Sequence, residues 1–253
     1  MTLLGGTLAF VVGFVLGLLG GGGSVLTVPI LIYALHVPVK PAIAMSLVVV
    51  GLVAFIGFVG HARQRTVSMR VALAFGPPAV AAAYAGARIA RHVPAHVQLV
   101  LFALFGLTGS VLMFRAAMKM SGKADLTPYE FRGDARTITL LALEGVGVGL
   151  MTGLIGVGGG FLIVPALVLV AKLPIRLAIG TSLLVITMNA LSGFAGYAGT
   201  VPIDWHLVGW FTGVAAIGSI AGTLVSKQVP QKRLKEVFAV LLIGVSLYVL
   251  YRR

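Results

Sequence analysis

GLLGGGGSVLTVPIL (residues 17–31) and GLIGVGGGFLIVPAL (residues 153–167) stand 136 positions apart in one chain. The same shift carries AIAMSL, which starts at Ala42, onto AIGTSL, which starts at Ala178. It also carries Gly57, Phe58 and Gly60 onto Gly193, Phe194 and Gly196. Between residues 17 and 60 the two copies agree at 19 of 44 positions without a gap, glycines and prolines included. Shared apolar composition would not place those residues in register. The chain is an internal duplication, and the repeat unit dictates the architecture.

The solvent of that architecture follows from composition. Of 253 residues, 59% are hydrophobic and 10% charged, with a mean hydropathy of +1.08. A soluble domain carries about 25% charged residues. A chain this apolar cannot cover a water-facing surface, so it reads as an all-α polytopic membrane protein. Nineteen Lys and Arg against six acids give +13. The basic residues sit in short loops between apolar runs, so they hold loops on the cytoplasmic side and do not signal nucleic acid. With no cysteine, disulfides and thiolate metal sites are excluded. The five histidines form no HxxxH or HExxH pattern, and no cofactor is implied.

Apolar runs cover residues 2–19, 24–35, 41–60, 71–90 and 97–113, then 137–155, 161–171, 177–196, 206–225 and 237–250. The first lacks a preceding basic residue and a small-residue cleavage site, and reads as a retained helix. The chain divides into a first transmembrane repeat (1–114), a cytoplasmic linker (115–136) and a second repeat (137–253), about five helical segments each. Charge orients the copies. HARQRTVSMR (residues 61–70) carries Arg63, Arg65 and Arg70, whereas its counterpart YAGTVPIDWH (residues 197–206) carries only Asp204. Equivalent loops on opposite membrane faces mean inverted-topology repeats. With HARQRTVSMR cytoplasmic, Arg115, Lys119 and Lys123 share that side, as do Lys172, Arg176, Lys227, Lys232, Arg233 and Lys235. Both termini, with Arg252 and Arg253, then lie outside, together with Lys40, Arg91 and Asp204. Residues 24–35 span only about 18 Å as a helix, short of the roughly 30 Å hydrocarbon core. Broken or half-length elements therefore meet at the glycines.

Glycine costs about 1 kcal/mol against alanine inside a helix, and irregular backbone within a bilayer is tolerated only where protein or a cavity satisfies it. Breaks at residues 20–23 and 156–160 would start helices near Ser24 and Gly160, with Pro29 and Pro165 limiting their first turns. A helix start offers N–H groups and partial positive charge to an anion. The candidate substrate-binding residues are Gly20, Gly22, Gly23, Ser24, Ser46, Gly158, Gly159, Gly160, Thr181, Ser182 and Asn189. Hydroxyl and amide donors suit an oxyanion, and Asn189 shares a helix face with Ser182 at i+7. Glu144, the only acid well inside an apolar segment, is the candidate for proton coupling. The histidines His36, His61, His92, His96 and His206 lie at segment ends, which suits headgroup-level roles, and Trp205 and Trp210 read as interfacial anchors. Neither glycine run continues into a Walker lysine. Replacing Gly13, in the helix before the first break, is expected to be milder than replacing a break glycine.

The doubled GLLGGGGSVLTVPIL and GLIGVGGGFLIVPAL, each followed by AIAMSL or AIGTSL, resembles the TauE/SafE family of bacterial sulfite exporters and anion permeases. The second half, LIGVGGGFLIVPALVLV then AIGTSLLVITMNALSGFAG, is the closer match. In half one Gly21 and Ser24 replace Val157 and Gly160, and Val53 replaces Asn189, so its site is less polar. The resemblance implies a multi-pass protein of the bacterial cytoplasmic (inner) membrane, not an enzyme. It implies a secondary transporter for a sulfite- or organosulfonate-class anion, with the membrane potential favouring export. An anion channel and an uptake permease for another small anion are the alternatives. The implied partners are the small anion, the lipid bilayer and, as a homo-oligomer, further copies of the chain.

Overall fold

A computed structural model describes residues 3–118, 134–156, 160–226 and 228–251. Ten α-helices follow the ten apolar runs closely. In half one they are α1 (Leu3–Leu19), α2 (Gly22–Pro29), α3 (Val39–Arg63), α4 (Met69–Ala90) and α5 (Ala95–Met118). In half two they are α6 (Ala135–Ile155), α7 (Gly160–Leu169), α8 (Ile175–Tyr197), α9 (Trp205–Ser226) and α10 (Gln231–Tyr251). No strand occurs among the described residues. By length and composition α3, α6, α8 and α9 can each cross a membrane. Helices α5 and α6 reach into the 115–136 stretch. Lys119, Lys123, Val157, Gly158, Gly159, Lys227, Arg252 and Arg253 lie outside the described residues.

Local chemistry sets the element ends. Helices α3 and α8 start directly after Pro38 and Pro174, whose φ of −56° and −53° with extended ψ cannot continue a preceding helix. The Asp134 carboxylate accepts from the Thr137 N–H at 3.3 Å and caps α6. Pro29 does not stop α2, which passes into a π-helical turn over Ile30–Ala34. Pro165 lies inside α7, which stays α-helical. Both prolines sit past the first turn, where each leaves the carbonyl four residues before it without a helical N–H donor.

Packing crosses between the halves. A Cβ on Gly13 of α1 would fall on the Ala215 carbonyl oxygen of α9, and one on Gly17 would fall on that of Ser219. From the other side, Gly218 and Gly222 lie on the Phe10 and Phe14 carbonyls. The 136-residue images of these contacts exist as well. Gly149 and Gly153 of α6 lie on the Ala79 and Ala83 carbonyls of α4, and Gly86 lies on that of Leu150. Small residues let these backbones touch, the usual basis of helix association where lipid removes the hydrophobic drive. The expectation that Gly13 is a mild position is therefore corrected, since any side chain there meets backbone.

Contact order gives helix direction. Residue numbers rise together along α1 with α9 and along α4 with α6, so both pairs are parallel. Gly51 faces Ala190, Gly57 faces Leu183, and Gly193 faces Leu47. Numbers here run in opposite senses, so α3 and its counterpart α8 are antiparallel. Ser219 of α9 faces Gly57 and Thr223 faces Gly60, which makes α3 parallel to α9 and hence to α1. α2 and its π turn therefore return the chain between two helices of the same direction.

Candidate functional site

Each glycine run ends a long helix in the left-handed conformation. Gly20 has φ 74° and Gly156 φ 77°, and their N–H groups close the final turns on Leu16 O and Thr152 O at 2.8 Å. This is the αL C-cap that glycine adopts without Cβ strain. Both caps are seated on the serine-bearing helix of the opposite half. A Cβ on Gly20 would meet Ser182 Oγ at 2.7 Å and Ile179 Cα at 3.1 Å. A Cβ on Gly156 would meet the backbone and side chain of Ile43, and Ser46 Oγ donates to the Gly156 carbonyl. Ile43 and Ser46 are the repeat counterparts of Ile179 and Ser182.

Beyond the caps, the half-length helices begin side by side. A Cβ on Gly160, the first residue of α7, would lie 2.6 Å from Gly21 Cα and 2.5 Å from Ile186 Cδ1. The two interruptions therefore touch, and α2 packs on α7. α2 runs back along α1, with Gly23 lying on the Leu16 N–H and Val12 carbonyl. Two helix starts thus bring their positive ends and free N–H groups to one buried place.

The polar candidates divide by how their atoms are engaged. Ser24 Oγ donates to Gly21 O at 2.7 Å and Ser182 Oγ to Ile179 O at 2.8 Å, while Ser46 Oγ has one proton for two carbonyls, Ile43 O at 2.8 Å and Gly156 O. These hydroxyls brace the breaks with their only protons, which leaves their oxygens as acceptors. Thr181 Oγ1 accepts from the Ser68 N–H at 2.9 Å, tying the α3–α4 loop to α8. Asn189 is fully buried, and neither amide atom has a hydrogen-bond partner among the described residues. Thr27 Oγ1 of α2, also fully buried, is in the same condition. Asn189 is thus a sequence candidate with both amide atoms unspent among the described residues, and Thr27 is a buried hydroxyl that pattern reading did not single out. Glu144 is half-buried, with Oε2 unpartnered among the described residues. It precedes Gly156 by about 18 Å of helix, so α6 places it away from the breaks.

His61 departs from the headgroup-level expectation. It is buried at the end of α3, with Nδ1 2.9 Å from Thr66 Oγ1 and Nε2 3.3 Å from the Gly17 carbonyl, one turn before the first cap. Its repeat counterpart is Tyr197, also buried. Trp205 is exposed at the start of α9 and meets Phe194 edge-on at 6.0 Å.

A family model described as sulfite exporter TauE/SafE matches residues 6–249. The chain is 33% identical over 249 residues to a probable membrane transporter protein of Xylella fastidiosa (strain Temecula1), covering 95% of this chain and 92% of that one. It is 25% identical over 227 residues to the probable membrane transporter protein YdhB of Bacillus subtilis, covering 90% and 91%. A probable membrane transporter protein of Methanocaldococcus jannaschii is 29% identical over 203 residues, covering 75% and 71%. No solved structure matches.

Proposed function

The chain belongs to the sulfite exporter TauE/SafE family, and from that membership we propose that it is a secondary transporter moving a small sulfur-containing or oxyanionic substrate out across the cytoplasmic membrane. The observation that carries this reading is the contact between the two breaks, Gly21 against Gly160, where two half-length helices start. In transporters of repeated halves, such starts hold anionic groups near the midplane. Backbone N–H groups there, with the Asn189 amide and the Thr27 hydroxyl, would hold an oxyanion through hydrogen bonds alone. No fixed positive charge would trap it.

The antiparallel α3–α8 pair supports inverted repeats, since counterparts in parallel repeats would run the same way. Rocking one half against the other would then expose the glycine meeting point to each side in turn. The α3–α4 loop is cytoplasmic in this reading and both termini are outside. An inside-negative potential favours outward anion movement by about 2.3 kcal/mol per charge per 100 mV. Glu144 is the acid available for proton coupling.

Flux into proteoliposomes of the purified chain tests the reading, with sulfite, sulfate, thiosulfate, sulfoacetate and taurine as the panel. Saturable counterflow of at least one anion is expected. Flux without saturation or counterflow would make the protein a channel, and no flux of any member would overturn the substrate class.

A further inference from the structure

We propose that a polar cavity beneath the α3–α4 loop, apart from the glycine meeting point, is a second anion site that receives a small oxyanion on the basic face of the protein. The cavity has about 300 Å³ and is lined by His61, Gln64, Thr66, Arg176 and Ser226. That is the share of roughly ten water molecules, enough for an oxyanion with part of its hydration shell. No carboxylate is among its described lining residues. Thr66 and Ser226 bring hydroxyls, Gln64 an amide, and Arg176 a planar guanidinium suited to two oxygens of one anion.

Placement adds to the chemistry. Arg176 is the second residue of α8. A cation in the first turn works against the helix dipole, whereas an anion there is favoured. The cavity-lining Arg176 thus stands in the first turn of α8, where an anion and not a second cation would complement the helix dipole. Its wall leads inward, because His61 reaches the Gly17 carbonyl in the last turn of α1. Ser182, seated on Gly20, lies six residues along α8 from Arg176.

The duplication shows that this mouth is specialised. The 136-shifted counterparts of Thr66, Ser226 and His61 are Pro202, Ala90 and Tyr197. The opposite face keeps a cation, Lys40, bonded to the Arg91 carbonyl at 2.8 Å, but has no hydroxyl at the positions of Thr66 and Ser226. Arg176 makes the looser matching contact, 3.4 Å to the Val229 carbonyl. Two hydroxyls that line the cavity on the basic face are thus replaced by Pro202 and Ala90 at the repeat positions, which fits anion capture from the basic side. As a station on the path it rests on the transporter reading; as an anion site it does not.

The test uses the full chain in detergent with Ser226→Cys as its only cysteine. Its modification rate is measured with anionic and cationic thiol reagents of equal size, with and without sulfate. Sulfate is expected to protect, and the anionic reagent to react faster than the cationic one. Arg176→Gln should slow the anionic reagent about 10-fold and remove protection, as loss of a charge-assisted bond predicts. Arg176→Lys should fall between, and Arg233→Gln, on the same face but outside the cavity, should change nothing. If Arg176→Gln does not insert, Thr66→Val, which leaves the Val229 contact in place, should weaken protection. No protection by sulfate, or protection that survives Arg176→Gln or is lost equally with Arg233→Gln, would overturn the site. Absent flux with protection intact would instead remove the transporter reading.

Discussion

Asn189 brings two buried polar atoms into an apolar helix bundle, and nothing described in the fold bonds either one. A buried amide left unsatisfied costs about 1–3 kcal/mol. If Asn189 served only the fold, its removal would cost nothing and could stabilise. If it serves the anion, removal loses a bond to a charged group, about 1.5–3 kcal/mol, or roughly 10- to 100-fold in affinity. Asn189→Ala should therefore weaken half-saturation by that factor while the thermal midpoint stays level or rises. Unchanged affinity would remove Asn189 from the site. Glu144→Gln makes a separate claim. It keeps shape and removes titration, so under proton coupling it should flatten the pH dependence of net flux between about pH 5.5 and 8 while sparing anion exchange. An unaltered profile would leave Glu144 structural. The shared helix of Asn189 and Ser182, and their burial on it, were legible in the sequence from the i+7 spacing. The engagement of Ser46 and Ser182 with their own helix carbonyls was not, because a hydroxyl's rotamer leaves no trace in spacing. The burial of His61 was hidden as well, since it depends on α1 crossing above it 44 residues away in sequence.

The helix breaks were legible because glycine runs in register twice are hard to explain otherwise. Their seats were not legible, because each lies on the opposite half. This arrangement separates two kinds of glycine by experiment. Gly20 and Gly156 are needed for a left-handed backbone, at roughly 1–2 kcal/mol for any other residue, and for close seating on Ser182 and Ile43. Gly160 is needed for contact between the breaks. Gly160→Ala puts a methyl against Gly21 Cα and Ile186, within the proposed anion pocket. It should abolish flux while leaving membrane insertion and the detergent elution profile near wild type. Gly13→Leu should behave differently. Its side chain would enter the Ala215 backbone along the whole α1–α9 seam, so low yield and aggregation are expected. Normal flux through well-inserted Gly160→Ala would show that the breaks serve packing alone. A well-folded Gly13→Leu would show that the seam is looser than its geometry. The seam was missed because GFVLG (residues 13–17) and GSIAG (residues 218–222) are individually short. Only their facing partners make them one interface.

At the scale of the whole molecule, helix directions and loop charges can be set against each other as independent lines. α1, α3 and α9 are parallel to one another, α4 and α8 are parallel, and α3 opposes α8. Following the chain through these senses puts the α3–α4, α7–α8 and α9–α10 connections on one face. The α2–α3, α4–α5 and α8–α9 connections fall on the other. The first face gathers Arg63, Arg65, Arg70, Lys172, Arg176 and Arg233, while the second has Lys40, Arg88 and Arg91. Charge bias of this kind favours the cytoplasmic side for the richer face, as the proposed topology requires. Directions obtained from glycine contacts and faces obtained from charge thus agree, though neither was used to obtain the other. Single cysteines test the agreement cleanly because the chain has none of its own. Gln64→Cys, in the α3–α4 loop, should resist a membrane-impermeant thiol reagent in intact cells and react after permeabilisation. Thr200→Cys, its repeat counterpart beside Gly199 in the α8–α9 connection, should react in intact cells. Labelling of both from one side would mean that corresponding loops share a face. That result would break the inverted arrangement, and with it the rocking of one half against the other about the Gly21–Gly160 contact.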